Sequence, residues 1–314
     1  MVAANPVLAE VGDGVSVIDA GYFRPGLAAV HLLVDAGEAA FVDTAVSHSV
    51  PRLLDAVAEA GLAPADVRWV LLTHVHLDHA GGAGALMREL PHATLVVHPR
   101  GAPHMIDPTK LVAGTIATYG EAEYARLYGA IPPVDAARVR RVDDGDTLPL
   151  GSRTLEFIHT PGHALHHYCI VDRAHAQIFS GDTFGISYRE FDTANGAFIF
   201  PATTPTQFDP AQAHASIDRL VAVRPDAIFL THFSRVTEID RLAADLHADL
   251  DAFVGIAQAH TDVEHIRAAL GAHLRARLAA HGCALSAGEI DALLELDVRL
   301  NAQGLVAWRE RATR

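Results

Sequence analysis

The stretch THVHLDHAGG, residues 73–82, places four potential metal ligands within six positions. These ligands are His74, His76, Asp78 and His79. The apolar run before them, residues 67–72, is typical of a buried strand, so the ligands are expected where that strand ends. In extended backbone alternate side chains share a face, which puts the first three on one side and leaves His79 free to point to a second position. Neutral imidazole and carboxylate are ligands that zinc prefers. The stretch therefore predicts a metal site and not merely a polar loop in a chain that holds 20 histidines.

The composition is that of a globular chain with an excess of acid. Its 314 residues are 50% apolar and 20% charged, and the length allows one large domain or two modest ones. The formal net charge is −14, from 24 Lys+Arg against 38 Asp+Glu. Nucleic acids and anionic membranes both require a cationic surface, so neither is expected as a partner. No apolar run reaches the roughly 18 residues of a membrane helix. A small-molecule substrate is expected instead.

Two further features predict a cytoplasmic location. The only cysteines, Cys169 and Cys283, lie far apart and imply no disulfide framework, which suits a reducing compartment. The first residues, 1–6, show no basic segment followed by an apolar one, the pattern of a secretion signal.

Strand-like patterns fill the chain to about residue 235, and helical patterns fill the rest. The predicted strands cover residues 15–19, 28–34, 39–42, 67–72, 94–98, 138–142, 147–150, 154–158, 167–172, 177–180 and 227–230. Helices are predicted over residues 50–60, 82–90 and 209–223. Residues 101–134 interrupt the strands with a helical insertion, which either shapes a substrate pocket or lid or is an ordinary packed helix pair. We predict a catalytic domain over residues 1–235 and a helical region over residues 236–314.

Three helices are predicted in the C-terminal region. The first runs from Thr237 to about His260, and a capping box at residues 261–264 opens the second, which Gly282 ends. A second box, residues 286–289, opens the last helix. Their apolar faces make a homodimer through these helices possible.

Three later motifs place further ligands directly after predicted strands. They are His163 in HTPGH (159–163), Asp182 in SGDT (180–183) and His232 in TH (231–232). Asp43 ends another strand and is either an acid beside the site or a turn cap. Residues 70–74 and 228–232 share a buried strand followed by Thr-His, which indicates two similar β-α halves or a chance match.

The order HxHxDH, turn histidine, Gly-Asp and strand-end histidine resembles the metallo-β-lactamase superfamily over roughly residues 10–235. The resemblance implies an α/β fold, a four-layer αββα sandwich with a C-terminal helical extension. It implies that Asp182 bridges two divalent metals. The ligands implied for the two metals are His74, His76 and His163 for the first, and Asp78, His79 and His232 for the second.

The chemistry that this ligand set implies is hydrolysis of a small ester, thioester or lactone by a metal-bridging hydroxide. Asp78 is the expected catalytic residue, orienting the hydroxide and taking its proton. Zn²⁺ is the ion expected first, and Fe or Mn would also accept these ligands. True β-lactamases of the superfamily lack a carboxylate at the position of Asp182, so the set resembles glyoxalase II-type thioesterases, lactonases and phosphodiesterases instead.

Two other functions are compatible with the same motifs. One is an iron-dependent oxygenase like the persulfide dioxygenases, and the other is an inert metal-holding sensor or interaction protein. Tyr188 and Arg189, in the loop after Asp182, are the candidates for substrate contact. The histidines that flank His163, namely His159, His166 and His167, are expected to be mainly structural.

Overall fold

The structure is a computed structural model that describes residues 7–204 and 206–313. Residues 1–6, on which the expectation about a secretion signal depends, lie outside the described residues. No helix within the described ranges is long and apolar enough to cross a membrane.

The first sheet has seven strands, which neighbour one another in chain order. They are β1 (Leu8–Gly12), β2 (Val15–Asp19), β3 (Ala29–Asp35), β4 (Glu38–Val42), β5 (Val67–Leu71), β6 (Thr94–Val97) and β7 (Val139–Arg141). Pairing is antiparallel from β1 to β4 and parallel from β4 to β7. Parallel neighbours need crossover connections, and the sequence supplies a helical segment for each. These segments are α1 (Val50–Glu59), then α2 (Leu77–Ala80) with α3 (Ala83–Glu89), then the insertion α4 (Ala102–Ile106), α5 (Thr109–Tyr119) and α6 (Glu121–Leu127).

The second sheet has six strands, again in chain order. They are β8 (Thr147–Leu150), β9 (Arg153–His159), β10 (Tyr168–Asp172), β11 (Gln177–Gly181), β12 (Ala227–Leu230) and β13 (Ser234–Val236). Only β11 and β12 pair in parallel, and α7 (Pro210–Ala222) connects them.

The two sheets pack face to face, because alternate residues of each strand point to opposite sides. In β4, Ala40 and Val42 belong to the core shared with Phe157 and Phe179 of the other sheet, whereas Phe41 belongs to the core under the helices. The Tyr168 hydroxyl joins the sheets by donating to the Val96 carbonyl at 3.0 Å. The expected α/β sandwich with helices on its outer faces is confirmed.

The C-terminal helices are α8 (Ile239–Ala259), α9 (Val263–His281) and α10 (Ala287–Ala312). Ser286 and Glu289 form the expected capping box of α10. The box expected from Thr261 is wrong, because Asp262 is the cap and its carboxylate accepts the N–H groups of Glu264 and His265. The third helical position after Asp262 is His265, which has no carboxylate to bond back to the cap.

Helix α10 lies against the loop that follows Phe200. The Asn301 carboxamide accepts from the Thr203 N–H at 2.6 Å and donates to the Pro201 carbonyl at 3.1 Å. The division into a domain over residues 1–235 and a helical region over residues 236–314 remains a prediction.

Candidate metal centre

The seven predicted ligands come from the ends of four strands. His74 and His76 follow β5, and Asp78 and His79 lie on the short helix α2 directly after them. The other three are His163 in the turn after β9, Asp182 directly after β11 and His232 shortly after β12. The expectation that Asp78 continues the alternation of an extended strand is wrong, because the chain becomes helical at Leu77. That helical turn places Asp78 and His79 beside His232.

The structure brings all seven side chains together in overlapping groups. Ligand atoms lie within 4.8 Å of one another in each of three sets: His74, His76 and His163; His74, His79 and Asp182; Asp78, His79 and His232. His163 Nε2 lies 3.0 Å from His76 Nδ1. His232 Nε2 lies 3.5 Å from Asp78 Oδ2.

The Asp182 carboxylate lies between His163 on one side and His79 on the other. Its Oδ2 is 3.3 Å from His163 Nε2, and its Oδ1 is 3.1 Å from His79 Nε2. Each oxygen therefore faces a different set of imidazoles, which is the placement that a bridging ligand requires.

Several of these buried atoms have no hydrogen-bond partner among the described residues: His74 Nε2, His79 Nε2 and Asp182 Oδ1. Buried polar atoms normally have a partner, since an unpaired one costs about 1–3 kcal/mol. A divalent cation bound by these atoms would satisfy all three, and imidazole and carboxylate are suitable donors for it. The residues therefore fit a metal centre.

The electrostatics divide the histidines into two classes. Burial and the neighbouring imidazole of His163 lower the pKa of His76 to about 3. Burial also disfavours the charged form of His79, but the carboxylates of Asp182, Asp43 and Asp78 outweigh it and hold the pKa of His79 well above its usual range. Burial raises the pKa of Asp78, but the nearby His79 and His232 outweigh it and lower that pKa to about 2. Asp78 is therefore ionised at neutral pH and able to bind a cation.

Asp43 is an acid beside the site, not a turn cap at the surface. It is fully buried, and its Oδ2 lies 2.7 Å from His79 Nδ1. It also accepts from the Thr73 N–H at 2.8 Å and from the Thr231 hydroxyl at 3.0 Å. A carboxylate on Nδ1 fixes the ring so that Nε2 points toward the ligand cluster.

Two of the three histidines that flank His163 have structural contacts. His167 is buried, and its Nε2 accepts from the backbone N–H of Asp182 at 3.2 Å. His159 stacks on His98 with ring centroids 4.6 Å apart. His166 differs, because it lines the cavity above the cluster.

A cavity of about 400 Å³ opens above the ligands. Its walls include the insertion helix α5, through Lys110, Leu111 and Thr115, and helix α10, through Leu296, Asp297 and Leu300. Tyr188 lines the cavity, and its role as a substrate contact stays a prediction. Arg189 is not among its lining residues, since its guanidinium donates to the Ser187 carbonyl at 2.7 Å and lies 3.3 Å from Asp192. Sequence reasoning missed Lys110 and Asp297.

Comparison with known proteins shows which family the chain matches. The family profile described as the metallo-beta-lactamase superfamily matches residues 2–232. Hydroxyacylglutathione hydrolase from Acidiphilium cryptum is 32% identical over 254 residues, which cover 79% of this chain and 80% of that protein. Hydroxyacylglutathione hydrolase from Aeromonas hydrophila is 32% identical over 160 residues, 51% of this chain. That match spans only 44% of the Aeromonas protein.

Among solved structures, an archaeal metallo-beta-lactamase superfamily protein from Sulfolobus tokodaii has the same fold. It superposes with a TM-score of 0.66 at 22% identity, covering 95% of this chain and 99% of that one. The match extends across the C-terminal helices as well as the sandwich.

Proposed function

The chain belongs to the metallo-β-lactamase superfamily, and from that premise we propose that it is a hydrolase that cleaves thioesters at a centre of two divalent metals. The two hydroxyacylglutathione hydrolases support the thioester as the bond that is cleaved. Zn²⁺ is the ion we propose, because histidine and carboxylate ligands suit it and it is typical of the family.

The observation that carries this proposal is the position of Asp182 between the two imidazole groups. We assign His74, His76 and His163 to one metal and Asp78, His79 and His232 to the other, with one oxygen of Asp182 on each side. A single metal would leave one of the two groups with unpartnered buried nitrogen atoms.

The reaction divides between the bound ions and the side chains of the cavity. Two divalent ions held by these ligands would supply the Lewis acidity that lowers the pKa of water toward neutrality and polarises a carbonyl. Asp78, which is partly open to the cavity, is the residue that we assign to orient the attacking water and to accept its proton. Apolar residues of the walls, including Leu27, Ile186 and Leu300, exclude bulk water from the thioester.

The decisive experiment combines metal analysis with a substrate panel of thioesters, lactones and phosphodiesters. We expect about two zinc ions per chain and turnover of thioesters, both lost in His76→Ala. The matched control is His265→Ala, which removes an exposed histidine of α9. Fewer than about one metal per chain, or full turnover by His76→Ala, would contradict the proposal.

The alternatives predict other outcomes of the same experiment. A single iron ion per chain, with oxygen uptake when persulfides are added, would indicate the oxygenase. A metal-loaded protein that turns over none of the substrates would indicate the sensor. A cytoplasmic location and a homodimer through the C-terminal helices remain predictions.

A further inference from the structure

One carboxyl group that lines the cavity is not among the seven proposed metal ligands. Asp297 comes from α10, is 8% exposed and lines the same cavity as Asp78, Asp182 and His232. The third C-terminal helix therefore delivers an acid into the space where substrate binds.

Within the described ranges, a single side chain donates a hydrogen bond to this carboxylate. The Tyr188 hydroxyl donates to Asp297, with its oxygen 3.1 Å from Oδ1 and 3.0 Å from Oδ2. Tyr188 is itself 1% exposed, and the Arg24 guanidinium lies over its ring at 4.4 Å from the centroid. Among the described residues, no Lys, Arg or His forms an ion pair with Asp297.

The pair lies within electrostatic reach of the metal centre. Burial raises the pKa of Asp297 to about 6, against the opposing effects of His232, Tyr188 and Arg24. Burial, Asp297 and the charge of Asp182 all hold the pKa of Tyr188 well above its usual range. Asp297 also lines one cavity with Asp78, Asp182 and His232, so a group bound by Asp297 would share that cavity with the scissile carbonyl.

The hydrogen bond from Tyr188 holds α10 against the rest of the protein, but this role alone does not require a carboxylate at position 297. A carboxylate has about four acceptor sites, and one hydroxyl leaves some of them without a donor. Burial of a charge without a counter-ion is costly, whereas a neutral acceptor would bond Tyr188 equally well. The unused acceptor sites at the cavity wall point to a donor on the ligand.

We propose that Asp297, oriented by Tyr188, determines specificity by accepting a hydrogen bond from a hydroxyl or ammonium group next to the scissile carbonyl of the substrate. The proposal deepens the thioesterase function and rests on it for the position of the carbonyl. In this arrangement Asp297 contacts the substrate, and Tyr188 is a positioning residue.

The test compares three acyl groups that differ only at the carbon beside the carbonyl. Propionyl, lactoyl and alanyl thioesters of N-acetylcysteamine carry hydrogen, hydroxyl and ammonium at that position. We expect zinc-loaded wild-type protein to prefer lactoyl or alanyl over propionyl in kcat/KM by about tenfold or more, the equivalent of one hydrogen bond to a charged group. Asp297→Leu should abolish the preference and Tyr188→Phe should reduce it.

Asp297→Asn separates the two donors, because the amide keeps an acceptor but loses the charge. It should retain a preference for lactoyl and lose one for alanyl. Asp291→Asn is the matched control, since Asp291 is an exposed acid of the same helix that pairs with Arg275 outside the cavity. Thermal unfolding and metal content of each variant report whether it folds.

Binding of ketone analogues separates failure of this proposal from failure of the thioesterase function. In these analogues a methylene replaces the sulfur of the propionyl and lactoyl probes. The bond to be cleaved is then a C–C bond that is not hydrolysed, so binding can be measured without turnover. If no thioester is hydrolysed but the lactoyl analogue binds more tightly and loses that advantage in Asp297→Leu, the function fails and the role of Asp297 stands. Equal binding of both analogues, no binding of either, or an equal loss for all three thioesters in folded Asp297 variants would overturn the role of Asp297.

Discussion

Asp43 shows how one buried side chain organises the centre without facing the substrate. Its carboxylate holds His79 Nδ1 at 2.7 Å and accepts from Thr73 and Thr231. Asp43→Asn keeps the size but presents an N–H group where His79 needs an acceptor. We expect metal affinity to fall by about 10- to 100-fold, the usual effect of losing such a partner.

Competition with a chelator measures this affinity, and Asp55→Asn on the exposed side of α1 is the control. Unchanged affinity in a folded Asp43→Asn protein would contradict the role assigned to Asp43.

Lys110 is the second residue whose position suggests a test. It is the only lysine of the chain, it is exposed on α5, and it lines the cavity. We expect Lys110→Met to weaken kcat/KM for thioesters of an anionic thiol by about two- to fivefold, as for an exposed ion pair of up to ~1 kcal/mol. Added salt should reduce the difference between Lys110→Met and wild type. Thioesters of the neutral N-acetylcysteamine serve as the control, and an equal loss for both would indicate a structural effect.

The sequence predicted which polar side chains lie together better than it predicted the cavity walls, and the reason is physical. His74 and His232 lie at strand ends, so their neighbourhood follows from local pattern. Asp297 lies in the middle of an amphipathic helix, where an acid normally faces solvent. Only the packing of α10 against Tyr188 makes it buried, and that contact spans 109 positions of the chain.

At the scale of elements, the contact between α10 and the loop after Phe200 also supports the metal centre. Gly304 of α10 packs so closely that a Cβ atom there would lie 1.6 Å from the Thr203 carbonyl oxygen. The neighbouring Ala202 carbonyl lies 3.1 Å from His163 Nδ1. Gly304→Ala must therefore displace the loop, and we expect a loss of roughly 1–3 kcal/mol in unfolding free energy together with weaker metal binding.

Gly255→Ala in α8 is the matched control for Gly304→Ala. A Cβ atom at Gly255 meets nothing within 4 Å, so this change should stabilise the helix by up to about 1 kcal/mol. Denaturant unfolding measures both variants. A Gly304→Ala protein as stable as wild type would show that α10 does not press on the loop.

Strands were predicted correctly where their burial left a clear pattern of apolar residues in the sequence, and they were missed where it did not. The strands Val15–Asp19, Thr147–Leu150 and Ala227–Leu230 were predicted with their observed bounds. The strands β1 and β13 were missed, because β1 has no fully buried residue and β13 has only three residues. The insertion was predicted to be helical, with a place at a substrate pocket as one of two alternatives, and its helix α5 lines the cavity.

At the scale of the molecule, the two sheets meet at the metal centre through a repeated motif. Residues 70–74 of the first sheet and 228–232 of the second each end a strand with Thr-His. Both threonine hydroxyls donate to the single carboxylate of Asp43. The short sequence match therefore corresponds to equivalent positions in two sheets, and the centre depends on how the sheets pack together.

Because the sheets pack closely, the stability of the folded protein should fall at acid pH through a buried histidine that lies outside the metal centre. His31 of β3 is 2% exposed and lies between the sheets, with its ring centroid 5.5 Å from Phe179 and 5.4 Å from Phe229. Burial lowers the pKa of His31 to about 3. The unfolded chain takes up this proton near pH 6.5, whereas the folded chain resists it until about pH 3, so stability falls as the pH falls through that window.

Between pH 7.5 and pH 5 we expect His31 alone to cost roughly 2 kcal/mol, since each pH unit below about 6.5 contributes about 1.4 kcal/mol. His31→Gln cannot titrate but can still bond Ser234, whose hydroxyl lies 3.4 Å from His31 Nε2. Its unfolding free energy, measured against pH at equal metal saturation, should therefore decline less steeply than that of wild type. His92→Gln, at an exposed position, should follow the wild-type curve. Parallel curves for wild type and His31→Gln would show that the space between the sheets admits the charged imidazole, and that the sandwich is less tightly closed there than its burial indicates.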